Sequence, residues 1–334
     1  MSMTPREVIK RNLEFSGPDR IGIEFGGSGQ QADFVWGTRI TSSAFKEKRW
    51  VEGNFEYYDD VWGNVWYRIK DMGAGGEIFK PALESWDQLK DFKMPDFINS
   101  GSYAKAKEDF EKDKLNRFRV ASFPGFPFAI CRYLRKMEVY FQDLILEREN
   151  IDKLHDMITT AMEKVIIKIG EETGADGIMF AEDWGIQDRL LIHPDMWREI
   201  FKPLYLRLCR AAHSKNLKVL MHSCGYNWDI LEDLGEVGIN ALQFDQPSVY
   251  GLERLSEKLQ SLKIALYSPV DIQRVYPTGN KKLIQDEAEK MVKLFFRGKG
   301  GLIATSYGDL KGIGVKEEWE AWAYEAFRNS SKNR

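Results

Sequence analysis

Short apolar runs, each followed by a stretch with the apolar spacing of a helix, recur through the second half of the chain. Phe118–Phe123 precedes a helix predicted over about Ala129–Leu146, and Gly177–Ala181 precedes one through Trp197–Ser214. The unit repeats: Lys218–His222 before Trp228–Val237, Ala241–Phe244 before Leu252–Leu262, Lys263–Tyr267 before Leu283–Phe296, and Leu302–Thr305 before Trp319–Phe327. With Arg20–Phe25 as an opening strand, this alternation predicts parallel strands wound in one sense, and a (β/α)8 TIM barrel is its natural closure. Thr4 followed by Pro5 reads as a helix N-cap and first-turn proline, and Gly174, Gly238 and Gly300 fall where helices should stop.

The stretch from about Trp50 to Asn116 is crowded with aromatic and charged residues and breaks the alternation. It is expected to supply one or two barrel units carrying an irregular insertion. No linker or low-complexity tract divides the chain, so one domain is expected over residues 1–330, with 331–334 a disordered tail.

At 334 residues the chain is long enough for one large barrel, and its formal net charge of -3 gives no basis for nucleic-acid binding. No apolar run approaches the ~20 residues that span a bilayer, and the first residues lack the apolar core of a signal peptide. Three cysteines, Cys131, Cys209 and Cys224, suit reduced thiols better than a disulfide framework. A cytoplasmic protein is expected, without membrane partners.

The candidate chemistry lies at the strand ends, where such barrels place their active sites. His222-Ser223-Cys224-Gly225 ends the run from Lys218, and strand alternation throws His222 and Cys224 to the same side. That is half of a zinc site, because a catalytic zinc takes about three protein ligands and keeps one open position. Other strand ends add Glu24, Glu182-Asp183, Asp245-Gln246, Asp271, and Tyr307-Gly308-Asp309. Asp271 and Asp309 are also suited to capping the next helix. The adjacent Glu182 and Asp183 cannot both be caps; Glu182 is favoured as a metal ligand or proton handler, with Asp183 a close competitor. Gln246, Asp271 and Tyr307 are candidates to contact a cofactor. Trp62, Trp66, Trp184, Tyr226 and Tyr307 are candidates for an aromatic rim.

The chain resembles the uroporphyrinogen decarboxylase superfamily, and within it the corrinoid-dependent methyltransferase branch. The resemblance runs from about Phe118 to Phe327, and more weakly over Tyr57–Trp66. It rests on Gly125-Phe126-Pro127-Phe128 with Tyr133–Glu138, on Asp183-Trp184-Gly185-Ile186-Gln187 with His193–Trp197, on His222-Ser223-Cys224-Gly225, and on Phe244-Asp245-Gln246-Pro247 with Pro269-Val270-Asp271. It implies a (β/α)8 barrel and a methyltransferase that binds zinc through a His-x-Cys pair and a later cysteine. The pair matches His222 and Cys224. Where the later cysteine belongs this chain has Tyr307-Gly308-Asp309-Leu310, so either a carboxylate from Glu182, Asp183 or Asp309 completes the set or zinc is absent, and the first is the expectation. The resemblance further implies methyl transfer between a small methylated compound or a thiol and a separate corrinoid protein, since no Asp-x-His-x-x-Gly segment typical of cobalamin binding occurs in the chain. Porphyrin decarboxylation, a carboxy-lyase activity, is the alternative, although the segment Glu24–Gln31 offers none of the arginines that decarboxylases place there. A third reading is a catalytically silent barrel that binds a tetrapyrrole or a partner protein.

Overall fold

The computed structural model describes residues 2–27, 29–71 and 75–332. Helix α1 (Pro5–Glu14) starts at Thr4, whose hydroxyl accepts the Glu7 amide, with Pro5 in the first turn. Its buried face carries Ile9 and Leu13 into the lower end of the barrel. Gly22 makes room there, because a Cβ on it would meet the tip of Ile9 at 2.5 Å.

Strands β1 (Gly22–Glu24) and β2 (Phe34–Trp36) follow, and then the chain leaves the barrel. It forms an antiparallel meander of β3 (Arg49–Glu52), β4 (Phe55–Asp59), β5 (Val65–Ile69) and β6 (Glu77–Lys80) before returning through α2 (Ser102–Lys112). The segment 50–116 therefore completes a single barrel unit. Its insertion is a regular four-stranded sheet, and the strand of that unit lies upstream of Trp50. Three residues between Asp33 and Gly37 are too few to show a periodicity.

The remaining strands fall where expected, with these helices between them: β7 (Phe118–Ser122), α3 (Pro127–Arg135), α4 (Met137–Leu146), α5 (Arg148–Glu172), β8 (Gly177–Ala181), α6 (Pro194–Ile200), α7 (Lys202–Ser214) and β9 (Lys218–His222). Then come α8 (Leu231–Val237), β10 (Ala241–Gln243), α9 (Leu252–Leu262), β11 (Ala265–Ser268), α10 (Lys281–Met291), β12 (Leu302–Thr305) and α11 (Glu317–Lys332). The long α5 has no counterpart among the predicted helices. The helix predicted over Ala129–Leu146 is two helices, broken at Lys136 with φ 67° and ψ 136°. Of the expected tail, Ser331 and Lys332 continue α11, while Asn333 and Arg334 lie outside the described residues.

Eight strands pair in the order β1-β12-β11-β10-β9-β8-β7-β2, each ladder parallel. Side chains join the seam between β1 and β2. Asp33 accepts the Ile23 amide at 2.8 Å while its own amide donates to the Ile23 carbonyl, and Glu24 accepts the Phe34 amide at 2.8 Å. The barrel interior is a packed layer of Phe34, Phe118, Val120, Leu220, Tyr267 and Ile303, so the barrel is filled below its mouth. No described helix is long and apolar enough to cross a membrane.

Candidate metal centre at the barrel mouth

Strand alternation carries the interior column of each strand upward into the mouth. On β9 the column is Leu220, His222, Cys224; on β10 it is Ala241, Gln243, Asp245; and on β8 Met179 and Ala181 lead to Asp183. Ala181 and Gln243 are both in register with His222, so the three columns end side by side. The result is a cluster in which Asp183, His222 and Cys224 each offer a ligand atom, all within 4.8 Å of one another. His222 Nε2 is 3.4 Å from Cys224 Sγ and 3.3 Å from Asp183 Oδ1.

Two loops hold this cluster. Asp183 accepts the Cys224 amide at 3.0 Å, Gly185 donates to the Cys224 carbonyl, and Tyr226 donates to the Ile186 carbonyl. The crossing is close enough that a Cβ on Gly225 would collide with the Gly185 backbone, and Gly225 has φ +74°. Glycine is the residue that satisfies both demands. Ser223 supports the same crossing, accepting the Trp184 amide and donating to Asn227.

The imidazole is oriented from behind. Gln243 donates through its amide nitrogen to Asp245 at 2.6 Å, which turns its amide oxygen toward His222 Nδ1. Nδ1 therefore carries the proton and donates, leaving Nε2 to face Cys224 and Asp183. Burial works against the charge on His222, but Asp183 and Cys224 outweigh it and hold the imidazole well above its ordinary pKa. Burial also pushes Asp183 upward, yet the bond to His222, the Cys224 amide and nearby Arg132 prevail, keeping it well below the usual carboxylate range. The Cys224 thiol is raised by burial against the pull of His222.

These residues fit zinc. Bond lengths of 2.0–2.3 Å in a tetrahedron put neighbouring ligand atoms about 3.3–3.8 Å apart. The two separations from His222 Nε2, 3.3 and 3.4 Å, fall there. A carboxylate, an imidazole and a thiol make three ligands and leave one position open, and Asp183, with 41 % of its side chain exposed, keeps the cluster in reach of solvent.

Glu182, favoured by the sequence as a ligand, does not join them. It shares the outward parity of Ile178 and Phe180, and its buried carboxylate accepts from the Ala129 amide at 2.9 Å and from the Tyr205 hydroxyl. Burial pushes it up to about 7 against those hydrogen bonds. Asp183 takes the place expected of it. Asp309 also stays out, accepting the Gly312 amide within its own turn.

Of the cofactor-contact candidates, Asp271 is wholly buried and caps a turn, accepting the Gln273 and Arg274 amides at 2.9 and 2.8 Å. Its other oxygen accepts the Ser248 amide, so the carboxylate is engaged within the protein. Gln246 is half-buried beside the turn Pro247–Tyr250, and Tyr307 is half-buried near enough for Asp245 and Cys224 to add to the upward push of burial on its phenol. The aromatic rim is thinner than expected. Trp184 is buried against Phe128 and donates to Tyr205; Trp62 is buried against Phe97. Trp66 and Tyr226 remain partly accessible.

Sequence reasoning placed Asp245 at a strand end but passed over Gln243 and Arg132. Gln243 was findable, since it continues the interior parity of Ala241 toward Asp245. Arg132 lies on α3 with its guanidinium 3.6 Å from Asp183, and no local spacing announces that approach.

A comparison with curated protein sequences finds no match. Among solved structures, a methyltransferase from Methanosarcina mazei superposes with TM-score 0.62 at 19% identity, over 80% of this chain and 76% of that one. D-psicose 3-epimerase in the presence of D-fructose gives a TM-score of 0.39 at 10% identity over 69% of this chain and 79% of that one, and an endo-beta-1,4-xylanase from Gloeophyllum trabeum gives 0.40 at 10% identity over 67% and 78%. The family model of uroporphyrinogen decarboxylase (URO-D) matches residues 67–308, well over half of the chain. This chain belongs to the uroporphyrinogen decarboxylase family.

Proposed function

We propose that the protein is a zinc-dependent methyltransferase, moving a methyl group between a small methylated compound or a thiol and a separate corrinoid protein. The observation that carries this reading is the convergence of Asp183, His222 and Cys224 in an open barrel mouth. A bound zinc would supply Lewis acidity, either lowering the pKa of a thiol or polarising the heteroatom that bears the methyl group.

The chain's own residues would do the rest. Asp183, His222 and Cys224 would hold the metal, while Gln243 and Asp245 keep the imidazole in the tautomer that presents Nε2. Metal binding displaces the proton that His222 and Asp183 otherwise share, so uptake should release protons. Arg132, beside Asp183, balances charge at the wall of the site. Tyr307 stands near enough to Cys224 to border a bound substrate.

Metal analysis of the purified protein and its Cys224→Ser variant tests the centre. About one zinc per chain is expected in the parent and at least about tenfold less in the variant, since a hydroxyl is the poorer ligand. The reaction is tested by mixing cob(I)alamin or methylcobalamin with methylated amines, methyl ethers and thiols and following the cobalt spectrum. Zinc-free protein with a flat spectrum across that panel, together with consumption of uroporphyrinogen, would replace this reading with porphyrin decarboxylation.

A further inference from the structure

A cleft of about 500 Å³, within the usual range for small-molecule sites, opens between the antiparallel sheet and the corner where α3 meets α4. Trp66 and Ile78 line it from the sheet; Tyr133, Met137 and Phe141 line it from the helices. Trp66 and Tyr133 meet edge to face with ring centres 4.7 Å apart. Arg132 also lines the cleft and links it to the barrel mouth through its approach to Asp183.

Arg132 is only 7 % exposed, and its hydrogen bonding is incomplete. It donates to the Tyr133 hydroxyl at 3.0 Å and rests on the rings of Phe128 and Tyr133, but its Nε has no hydrogen-bond partner among the described residues. At 3.6 Å the contact with Asp183 is longer than a hydrogen bond. A buried cationic donor left short of acceptors is costly, and an incoming acceptor would relieve it. The acids in the cleft are already engaged: Glu77 accepts from Tyr67, and Glu138 lies 3.6 Å from Lys136.

We propose that this cleft is a subsite for a flat, apolar carboxylic acid, its plane lying against Trp66 and Tyr133 and its carboxylate on Arg132. A planar guanidinium matches a carboxylate in two parallel hydrogen bonds. Asp183, Glu77 and Glu138 nearby disfavour a more highly charged anion. The inference rests on the methyl-transfer reading only for the ligand's purpose, because the cleft would hand its occupant toward the metal centre. Binding itself does not require the metal.

Calorimetric titration of the purified protein with 2-naphthoate and with its neutral counterpart 2-naphthalenemethanol tests it. The acid should bind at least about tenfold more tightly, the scale of a charge-assisted hydrogen bond. Arg132→Gln should abolish that preference, whereas Trp66→Leu should weaken both compounds. Cys224→Ser should lose metal yet keep the preference, so a failure of the metal reading and a failure of this one give different results. Equal binding of acid and alcohol by the parent protein, no binding of either, or a preference that survives Arg132→Gln or vanishes in Cys224→Ser would overturn the proposal. The comparison within the parent protein decides even if Arg132→Gln fails to fold.

Discussion

The two walls at the top of β8 and β9 are built from alternate residues of the same chain segments, and they treat charge in opposite ways. On the inner wall, Asp183, His222 and Cys224 face one another in an open mouth, with donor atoms left accessible. On the outer wall, Glu182 is sealed under α3 and α7, and both of its carboxylate oxygens are used. The inner wall is suited to exchange its proton for a ligand. The outer wall fixes position: by accepting the Ala129 amide, Glu182 anchors the first turn of the helix that carries Arg132 to Asp183. Adjacent carboxylates thus differ in role because one step along a strand reverses the side.

The largest expected effect separates the walls directly. Asp183→Asn should lower zinc affinity by on the order of 10²-fold, since a neutral amide oxygen replaces an anionic ligand. Glu182→Gln should leave zinc content unchanged. Competition with a chromophoric chelator measures both, and equal losses in the two variants would erase the distinction.

Glu182→Gln should instead appear in stability, at about 2 kcal/mol, the range for leaving a buried group mispaired. The new amide nitrogen must face either the Ala129 amide or the Tyr205 hydroxyl, both of which donate to the carboxylate. A lowered urea midpoint with full metal content is the expected result, and an unshifted midpoint would show that the clamp carries no weight.

A smaller effect is expected one layer behind the inner wall. Gln243→Leu removes the acceptor that orients His222 and leaves Asp245 without its donor. Residues in this position typically account for 10- to 100-fold in metal affinity, and about tenfold is expected here because the ligands themselves remain. Unchanged affinity would mean that the loop crossing alone orients the imidazole.

Much of this arrangement was legible in the chain. The strands at Gly177–Ala181, Lys218–His222 and Leu302–Thr305 carry their own apolar signal, and His222 with Cys224 follows from alternation. Asp183 was legible too: extending the parity of Met179 and Ala181 selects it over Glu182. What misled was closeness in sequence, which says nothing about side. The seam strand Phe34–Trp36 and the approach of Arg132 were illegible for a different reason. The first is held by the carboxylates of Asp33 and Glu24, the second by packing of α3, and long-range contacts leave no local period.

The smallest expected effect lies in the outer layer at Lys136. Its φ of 67° with ψ of 136° is a conformation that glycine adopts readily and a lysine does not, and such positions cost of order 1–3 kcal/mol. Lys136→Gly should remove that strain, while glycine's greater freedom in the unfolded chain returns part of the gain, leaving the variant about 1 kcal/mol more stable. Because the break at Lys136 turns α3 into α4 beside Arg132, the same variant also asks whether the corner depends on lysine. Stabilisation with zinc content intact would place the strain wholly in the outer wall. A stabilised protein that binds zinc less well would show instead that the strained corner holds Arg132 against Asp183, and the two walls would then be mechanically coupled.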